Sequence, residues 1–186
     1  MTKDYISSPP EEPYTNFTPS DLTTFWGQFG ILEKQKFRKT YGVIAFLISV
    51  PIEEPVLQVA LRFWDLSYRC FAFGKKDLVL TIEEYSILIG LDLQYSDKVY
   101  NKKPRARCCK ELAKILKVKP QMVDTYLVQK ENRQGLLWNI LRNFIQRHLH
   151  DEDGMLAFAL SIYGLVIFPG ILGYIEMAVV DTFEQI

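Results

Sequence analysis

The chain has 186 residues, of which 48% are hydrophobic and 24% charged. This composition is typical of a globular domain and excludes a wholly disordered chain or a fibrous repeat. Its 22 basic residues balance its 22 acidic residues, so no net charge draws the whole molecule to nucleic acid or to a membrane. Three cysteines, two of them adjacent, fit neither a disulfide framework nor a four-ligand zinc site, and they indicate reduced thiols in an intracellular protein.

The first third of the chain predicts an arm followed by short helices. Residues 1–17 contain three prolines and few aliphatic side chains, which is typical of a flexible arm in front of a folded domain over 18–186. A short helix is expected after Pro19, and a second over 31–41, where basic residues near the end suit the helix dipole. The apolar run 43–50 is compatible with a buried helix or a strand. Acidic residues and a proline then predict a helix over 53–64.

The next segment predicts the one piece of β-structure. Aromatic and β-branched residues on both sides of Gly74 indicate a small β-hairpin near residues 69–80. Thr81 and Glu84 then occupy the two positions of a capping box, in which each side chain accepts a hydrogen bond from the other residue's backbone amide. Gly90 can end the helix that this box begins. The aromatic residues of the region are expected to pack in the core, with base stacking as the alternative; they are Trp64, Tyr68, Phe71, Phe73 and Tyr85.

Charge is distributed unevenly along the chain. Residues 98–119 carry nine basic side chains against one acidic, whereas residues 151–186 carry six acidic side chains and no lysine or arginine. The basic stretch is therefore predicted to contact nucleic acid or an acidic partner, with the alternative that it neutralises the acidic stretch within the fold. The candidate contact residues are Lys102, Lys103, Arg105, Arg107, Lys110, Lys114, Lys117 and Lys119.

Two motifs suggest more specific functions. Residues 112–127 have apolar side chains at positions that suit a helix-turn-helix motif, but Lys117 occupies the turn position that usually requires glycine, and Asp124 would face phosphates. An ordinary helical hairpin is therefore favoured. His148 and His150 stand beside three acidic residues, yet a solvated helix end explains them better than a metal site. No metal, cofactor or catalytic residue is predicted.

The last third predicts buried helices. Residues 135–149 have an apolar side and a polar side at helical spacing, which indicates an amphipathic helix. The apolar segment 155–180 is interrupted at Pro169 and has no basic flank, so two buried core helices are expected and no membrane contact. From the residues alone, the fold is thus expected to be mainly α: a single helical domain with a small β-hairpin near residues 69–80.

Several blocks carry a family resemblance when their order is considered together. They are FWD at 63–65, RCFAFG at 69–74, LTIEEYSILIGL at 80–91, LAKI at 112–115 and YGLVIFP at 163–169. These blocks resemble the plant mobile domain, a transposon-derived domain also labelled aminotransferase-like, and are most similar to its branch described as girdin-like. The motif residues with a structural role in this resemblance are Trp64, Phe71, Phe73, Gly74, Thr81, Glu84 and Gly90.

The resemblance implies a function without catalysis. It implies a non-enzymatic, mobile-element-derived interaction module that is nuclear, is linked to transposon silencing, genome stability and meristem maintenance, and has a nuclear protein partner of phosphatase-like type. The alternative is a nucleic-acid-binding domain that uses the basic segment 98–119. Family members continue beyond the position of Ile186, so a truncated copy or a fragment is expected, with a core face left uncovered. The sequence does not indicate an oligomeric state.

Overall fold

The computed structural model describes residues 18–51, 53–65, 70–78, 84, 108–130, 133–170 and 173–183. The expected arm over 1–17, the capping-box residue Thr81 and the helix-ending Gly90 therefore lie outside the described residues. The same holds for the first half of the basic stretch, which includes Lys102, Lys103, Arg105 and Arg107.

The N-terminal part is helical. Helix α1 spans Pro19–Gln28 and helix α2 spans Ile31–Tyr41, so the expected bounds of the second helix are confirmed. The side chain of Glu33 accepts a hydrogen bond from the backbone N–H of Gly30 and fixes the start of α2. The ambiguous apolar run becomes a 3₁₀ helix over Ile44–Ser49.

A short helix and the first sheet follow. Helix α3 spans Glu54–Leu61 and ends three residues before the expected position, because Trp64 already belongs to a strand. Strands β1 (Trp64–Asp65), β2 (Cys70–Phe73) and β3 (Lys76–Leu78) form an antiparallel sheet in the order β1-β2-β3. The hairpin between β2 and β3 was predicted, and Gly74 has a φ of 66° in its turn, a conformation that glycine adopts readily.

The second half of the chain contains five helices, a second sheet and a π-helical turn among its described residues. In chain order these elements are α4 (Cys108–Leu116), α5 (Pro120–Val123), β4 (Leu127–Lys130), β5 (Arg133–Leu137), α6 (Trp138–Arg147), α7 (Glu152–Ile162), the π-helical turn (Tyr163–Ile167), β6 (Tyr174–Glu176) and α8 (Met177–Phe183). The sheet is antiparallel in the order β4-β5-β6, and Leu136 of its central strand pairs with Leu127 on one side and Ile175 on the other.

The expectation of a mainly α fold is wrong. Two three-stranded sheets make the fold a mixed one of helices and strands. Strand β5 begins at Arg133 and includes Gly135, where an amphipathic helix was expected to begin, and β6 lies inside a segment expected to be helical. Short apolar runs suit a buried strand and a buried helix equally well, so strand pairing decided both cases: β5 pairs with its neighbour β4, and β6 pairs with β5 about 40 positions earlier.

The core is concentrated around α7. Phe158 is fully buried, and its ring centroid lies 5.2 Å from that of Phe29 and 5.6 Å from that of Phe37, with Trp26 stacked at 6.1 Å. These aromatic contacts attach α1 and α2 to the C-terminal half. No helix among the described residues is long and apolar enough to cross a membrane.

Strand β6 approaches its neighbours closely. A Cβ atom on Gly164 would lie 2.6 Å from the side chain of Ile175, and one on Gly135 would lie 2.4 Å from the carbonyl oxygen of the same residue. The hydroxyl of Tyr174 donates to the carbonyl oxygens of Val128 and Arg133, at 2.7 and 2.8 Å. Burial raises the pKa of this tyrosine to about 12, with a contribution from Glu176. Strand β6 is therefore packed closely against β5 on one side and against the π-helical turn on the other.

Candidate functional site

Four exposed lysines lie around one cavity on and beside α4. Lys110 and Lys114 belong to α4, and Lys117 and Lys119 belong to the turn that follows it. The cavity has a volume of about 650 Å³ and is lined by these four lysines with Ala113, Val118 and Pro120. We call these seven residues the lysine cavity.

The sequence of α4 explains why its lysines share one side. Leu112 and Leu116 are fully buried and, being four positions apart, lie on one face of the helix. Lys110 and Lys114 have the same spacing on another face and are exposed. Residues four apart are separated by about one turn, or about 6 Å along the axis, so the two lysines form a short row on the helix surface. The buried face of α4 packs against α7 and α8.

The turn after α4 brings the other two lysines to the row. Lys117 has a φ of 52°, in the left-handed region. Its backbone N–H donates to the carbonyl of Lys114, and the N–H of Val118 donates to the carbonyl of Ala113, which is the Schellman arrangement that ends many helices. A lysine thus fills the position where the sequence indicated that glycine is usual.

One lysine of the cavity also contacts the acidic stretch. The ammonium group of Lys117 forms an ion pair with Asp153 in the first turn of α7. Burial alone would raise the pKa of Asp151, but hydrogen bonds from the Gly154 backbone and the His148 ring, together with the charge of Lys117, lower it. Among the described residues, Lys117 thus connects the basic stretch to the acidic stretch within the fold, while the side chains of Lys110, Lys114 and Lys119 are exposed.

The structure of residues 112–127 differs from a helix-turn-helix motif. Helix α5 has only four residues, and strand β4 begins at Leu127, so the second helix ends before Asp124 and Thr125. Val123 and Tyr126 are buried, which directs the chain towards the core after a single helical turn. The segment 112–127 is therefore a helix, a turn and a single helical turn that leads into a strand.

The two histidines form separate contacts. His148 stacks on Phe144 with ring centroids 4.5 Å apart, and its Nδ1 lies 2.8 Å from the carboxylate of Asp151. The Nδ1 of His150 lies 3.1 Å from the carboxylate of Glu33 in α2. Within the described ranges, no group of three or more candidate ligands could hold a metal ion.

The aromatic motif residues of the first sheet do not lie in the core. Trp64 is 40% exposed and Phe73 is 44% exposed, so the expectation that they pack inside is wrong, because β1 and β2 turn this face outward. Phe71 lies between Trp64 and Leu78 in the sheet and is partly buried, and Glu84 has helical backbone. Tyr68 and Tyr85 fall outside the described residues.

The lysine row was visible in the sequence, but the cavity was not. Lys110, Lys114 and Lys117 recur at helical spacing, which predicts a basic face. The apolar lining from Ala113, Val118 and Pro120 depends on the left-handed turn at Lys117, and a lysine gives no signal for that conformation.

Comparison with known proteins replaces the family resemblance suggested by the motifs. A family model described as Domain of unknown function (DUF7745) matches residues 23–185. The assignment to the plant mobile domain is therefore wrong, since the model that matches is that of a different family. No curated protein and no solved structure matches the chain.

Proposed function

We propose that this chain, which belongs to the DUF7745 family, is a non-enzymatic binding module that holds the phosphate backbone of a nucleic acid against the lysine cavity. The observation that supports this function is the convergence of four exposed lysines on one cavity of about 650 Å³. The processes, nuclear location and phosphatase-like partner implied by the plant mobile domain have lost their basis and form no part of this function.

The lining chemistry favours phosphate over base edges. Lysine binds phosphate as a flexible point charge, whereas the bidentate contacts that identify a base come mainly from arginine, asparagine and glutamine. The remaining lining residues are Ala113, Val118 and Pro120, against which the methylene stems of the lysines can lie. Binding should therefore depend on salt and little on sequence.

The test is fluorescence anisotropy with short duplex DNA, single-stranded DNA and RNA at several salt concentrations. Four lysine–phosphate contacts predict a slope of log Kobs against log salt of about −3.6 for duplex DNA and about −2.8 for single strands. The double substitution Lys110→Glu with Lys114→Glu should weaken binding at least about tenfold and reduce the slope by about 2, because two contacts are lost. Asp153→Asn should act in the opposite direction and tighten binding, since it removes the acidic neighbour of Lys117.

A charge-matched control separates a local contact from net charge. Lys39 and Lys75 are exposed in α2 and in the hairpin turn, so Lys39→Glu with Lys75→Glu makes the same change in net charge away from the cavity. Equal weakening by both double variants would contradict the function, as would an absence of binding at low salt. Preferential binding of a polyglutamate peptide would assign the cavity to an acidic protein instead.

A further inference from the structure

The lysine cavity contains an apolar surface that phosphate binding does not use. Its volume of about 650 Å³ lies within the range of pockets that enclose a small organic group, whereas a phosphate contact needs only a charged side chain at the protein surface. Between the lysines the cavity is lined by Ala113, Val118 and Pro120. Their side chains carry no hydrogen-bond donor or acceptor, so the part of a ligand that lies against them is expected to be apolar.

The backbone at the end of α4 holds this apolar surface together. The N–H of Val118 donates to the carbonyl of Ala113 at 3.0 Å, and this bond closes the left-handed turn at Lys117. Ala113 is buried, Val118 is partly exposed and Pro120 is exposed, so the surface extends from the core to the solvent. Pro120 begins α5, and its ring fixes the backbone angle φ at that position.

Positive charge and apolar surface occupy different parts of the cavity. Lys110 and Lys114 lie one turn apart along α4, which ends at Leu116. Val118 follows four positions after Lys114, so the row of charges leads towards the apolar surface. At that end the carboxylate of Asp153 pairs with Lys117, which makes this part of the cavity less favourable for a phosphate than the row on the helix.

A nucleic acid presents an apolar face only where its bases are unpaired. In a duplex each base face is covered by the neighbouring base pair, and only the base edges are accessible. An unpaired base can turn out of the stack and place its face on a protein surface. Phosphates flank each base along the strand, just as lysines flank the apolar surface of the cavity. The lining of the cavity therefore matches a nucleotide of a single strand.

We propose that the lysine cavity selects single-stranded nucleic acid, with one unpaired base on the apolar surface of Ala113, Val118 and Pro120 and the adjoining phosphates on the lysines. This inference rests on the proposed function and adds to it the class of nucleic acid that is bound. Because the base is held through its face and not through its edges, the selection of single strands involves little preference for sequence.

An abasic strand tests the contact with the base. Fluorescence anisotropy compares a short oligothymidylate with a strand of equal length that lacks every base, so the two strands carry the same phosphates. The intact strand should bind at least about fivefold more tightly, because it alone places a base on the apolar surface. This ratio should be the same at every salt concentration, since both strands release the same number of counterions.

A duplex of the same length is the second comparison. Its phosphates are more closely spaced than those of a single strand, so charge alone favours the duplex. Tighter binding of the oligothymidylate at about 150 mM salt is expected, and this order cannot come from the electrostatic contribution.

Val118→Thr tests the apolar surface without a change of charge. The substitution is nearly isosteric but adds a hydroxyl group, so it should weaken binding of the intact strand at least about threefold. Binding of the abasic strand should stay the same, which shows that the lysines remain in place. Val43→Thr is the matched control, because Val43 is 48% exposed and precedes the 3₁₀ helix, and it should leave all affinities unchanged.

The possible failures separate this inference from the proposed function. Equal binding of the intact and abasic strands would overturn the selection. A duplex that binds at least as tightly as the single strand, or a Val118→Thr protein that binds the intact strand as tightly as the wild-type protein, would also overturn it. In each case the proposed function stands if Lys110→Glu with Lys114→Glu still weakens binding. Absence of binding to all three probes at low salt would overturn both.

Discussion

Helices α3 and α7 are both rich in apolar residues, yet they have opposite environments. Eight of the eleven residues of α7 are buried, but none of the eight residues of α3 is. Helix α7 lies against α4 and α6 and continues into a π-helical turn, while α3 precedes a small sheet whose outer face is exposed. The comparison shows that neighbouring elements, and not composition, decide whether an apolar helix belongs to the core.

The two sheets differ in the same way. In the second sheet the central strand β5 has three consecutive buried residues, Gly135, Leu136 and Leu137, because helices cover it. In the first sheet β3 is exposed along its whole length. Each sheet has three antiparallel strands, so the difference comes from what covers them.

The largest expected effect contrasts two phenylalanines. Phe158→Ala should lower the free energy of unfolding by about 3–5 kcal/mol, because it leaves a cavity among Trp26, Phe29 and Phe37. Phe73→Ala should cost less than about 1 kcal/mol at concentrations where the chain is monomeric, since this side chain is 44% exposed. Urea denaturation measures both values. Equal losses would mean that the first sheet is as well packed as the core.

A glycine substitution should have the next largest effect. Gly164→Ala places a methyl group 2.6 Å from the side chain of Ile175, so the strand must shift, at a cost of about 1–3 kcal/mol. Gly27→Ala is the control, because no atom lies within 4 Å of its added methyl group, and it should be neutral or stabilise α1. Thermal unfolding of both variants measures the contrast, and a stable Gly164→Ala protein would contradict the close packing of β6.

The smallest expected effect appears only at high pH. The pKa of Tyr174 is raised from 10.0 to about 12 in the folded protein, so between these values the unfolded chain loses a proton that the folded chain retains. The free energy of unfolding therefore falls as the pH rises through this range. Tyr174→Phe should flatten part of this fall, and burial of Tyr163, which also raises its pKa, should maintain the rest. Denaturation at several pH values above 9 measures the slope, and identical slopes would contradict the burial of the Tyr174 hydroxyl.

Local signals in the sequence explain which elements could be predicted. The bounds of α2 and the hairpin after Cys70 follow from capping patterns, β-branched residues and a turn glycine, all of which act within a few residues. The basic face of α4 follows from the helical spacing of its lysines. These features depend little on the rest of the fold.

The remaining elements depend on contacts distant in sequence. Strand β6 pairs with residues about 40 positions earlier, and its three residues do not differ in pattern from a buried helix. The outward face of the first sheet is equally hard to predict. Alternation of side chains along a strand predicts that one face is buried but does not identify which one. Predicting the lysine cavity would have required both kinds of information. The row of lysines follows from local helical spacing, whereas the apolar lining depends on the left-handed turn after α4.

The left-handed backbone at Lys117 determines which substitutions this position tolerates. A lysine in this conformation costs about 1 kcal/mol relative to glycine, and an exposed ion pair such as that with Asp153 returns at most a similar amount. Replacement by glycine would therefore be tolerated by the fold or would even raise its melting temperature. Selection for thermal stability alone would not retain a lysine at this position, whereas selection for positive charge beside α4 would.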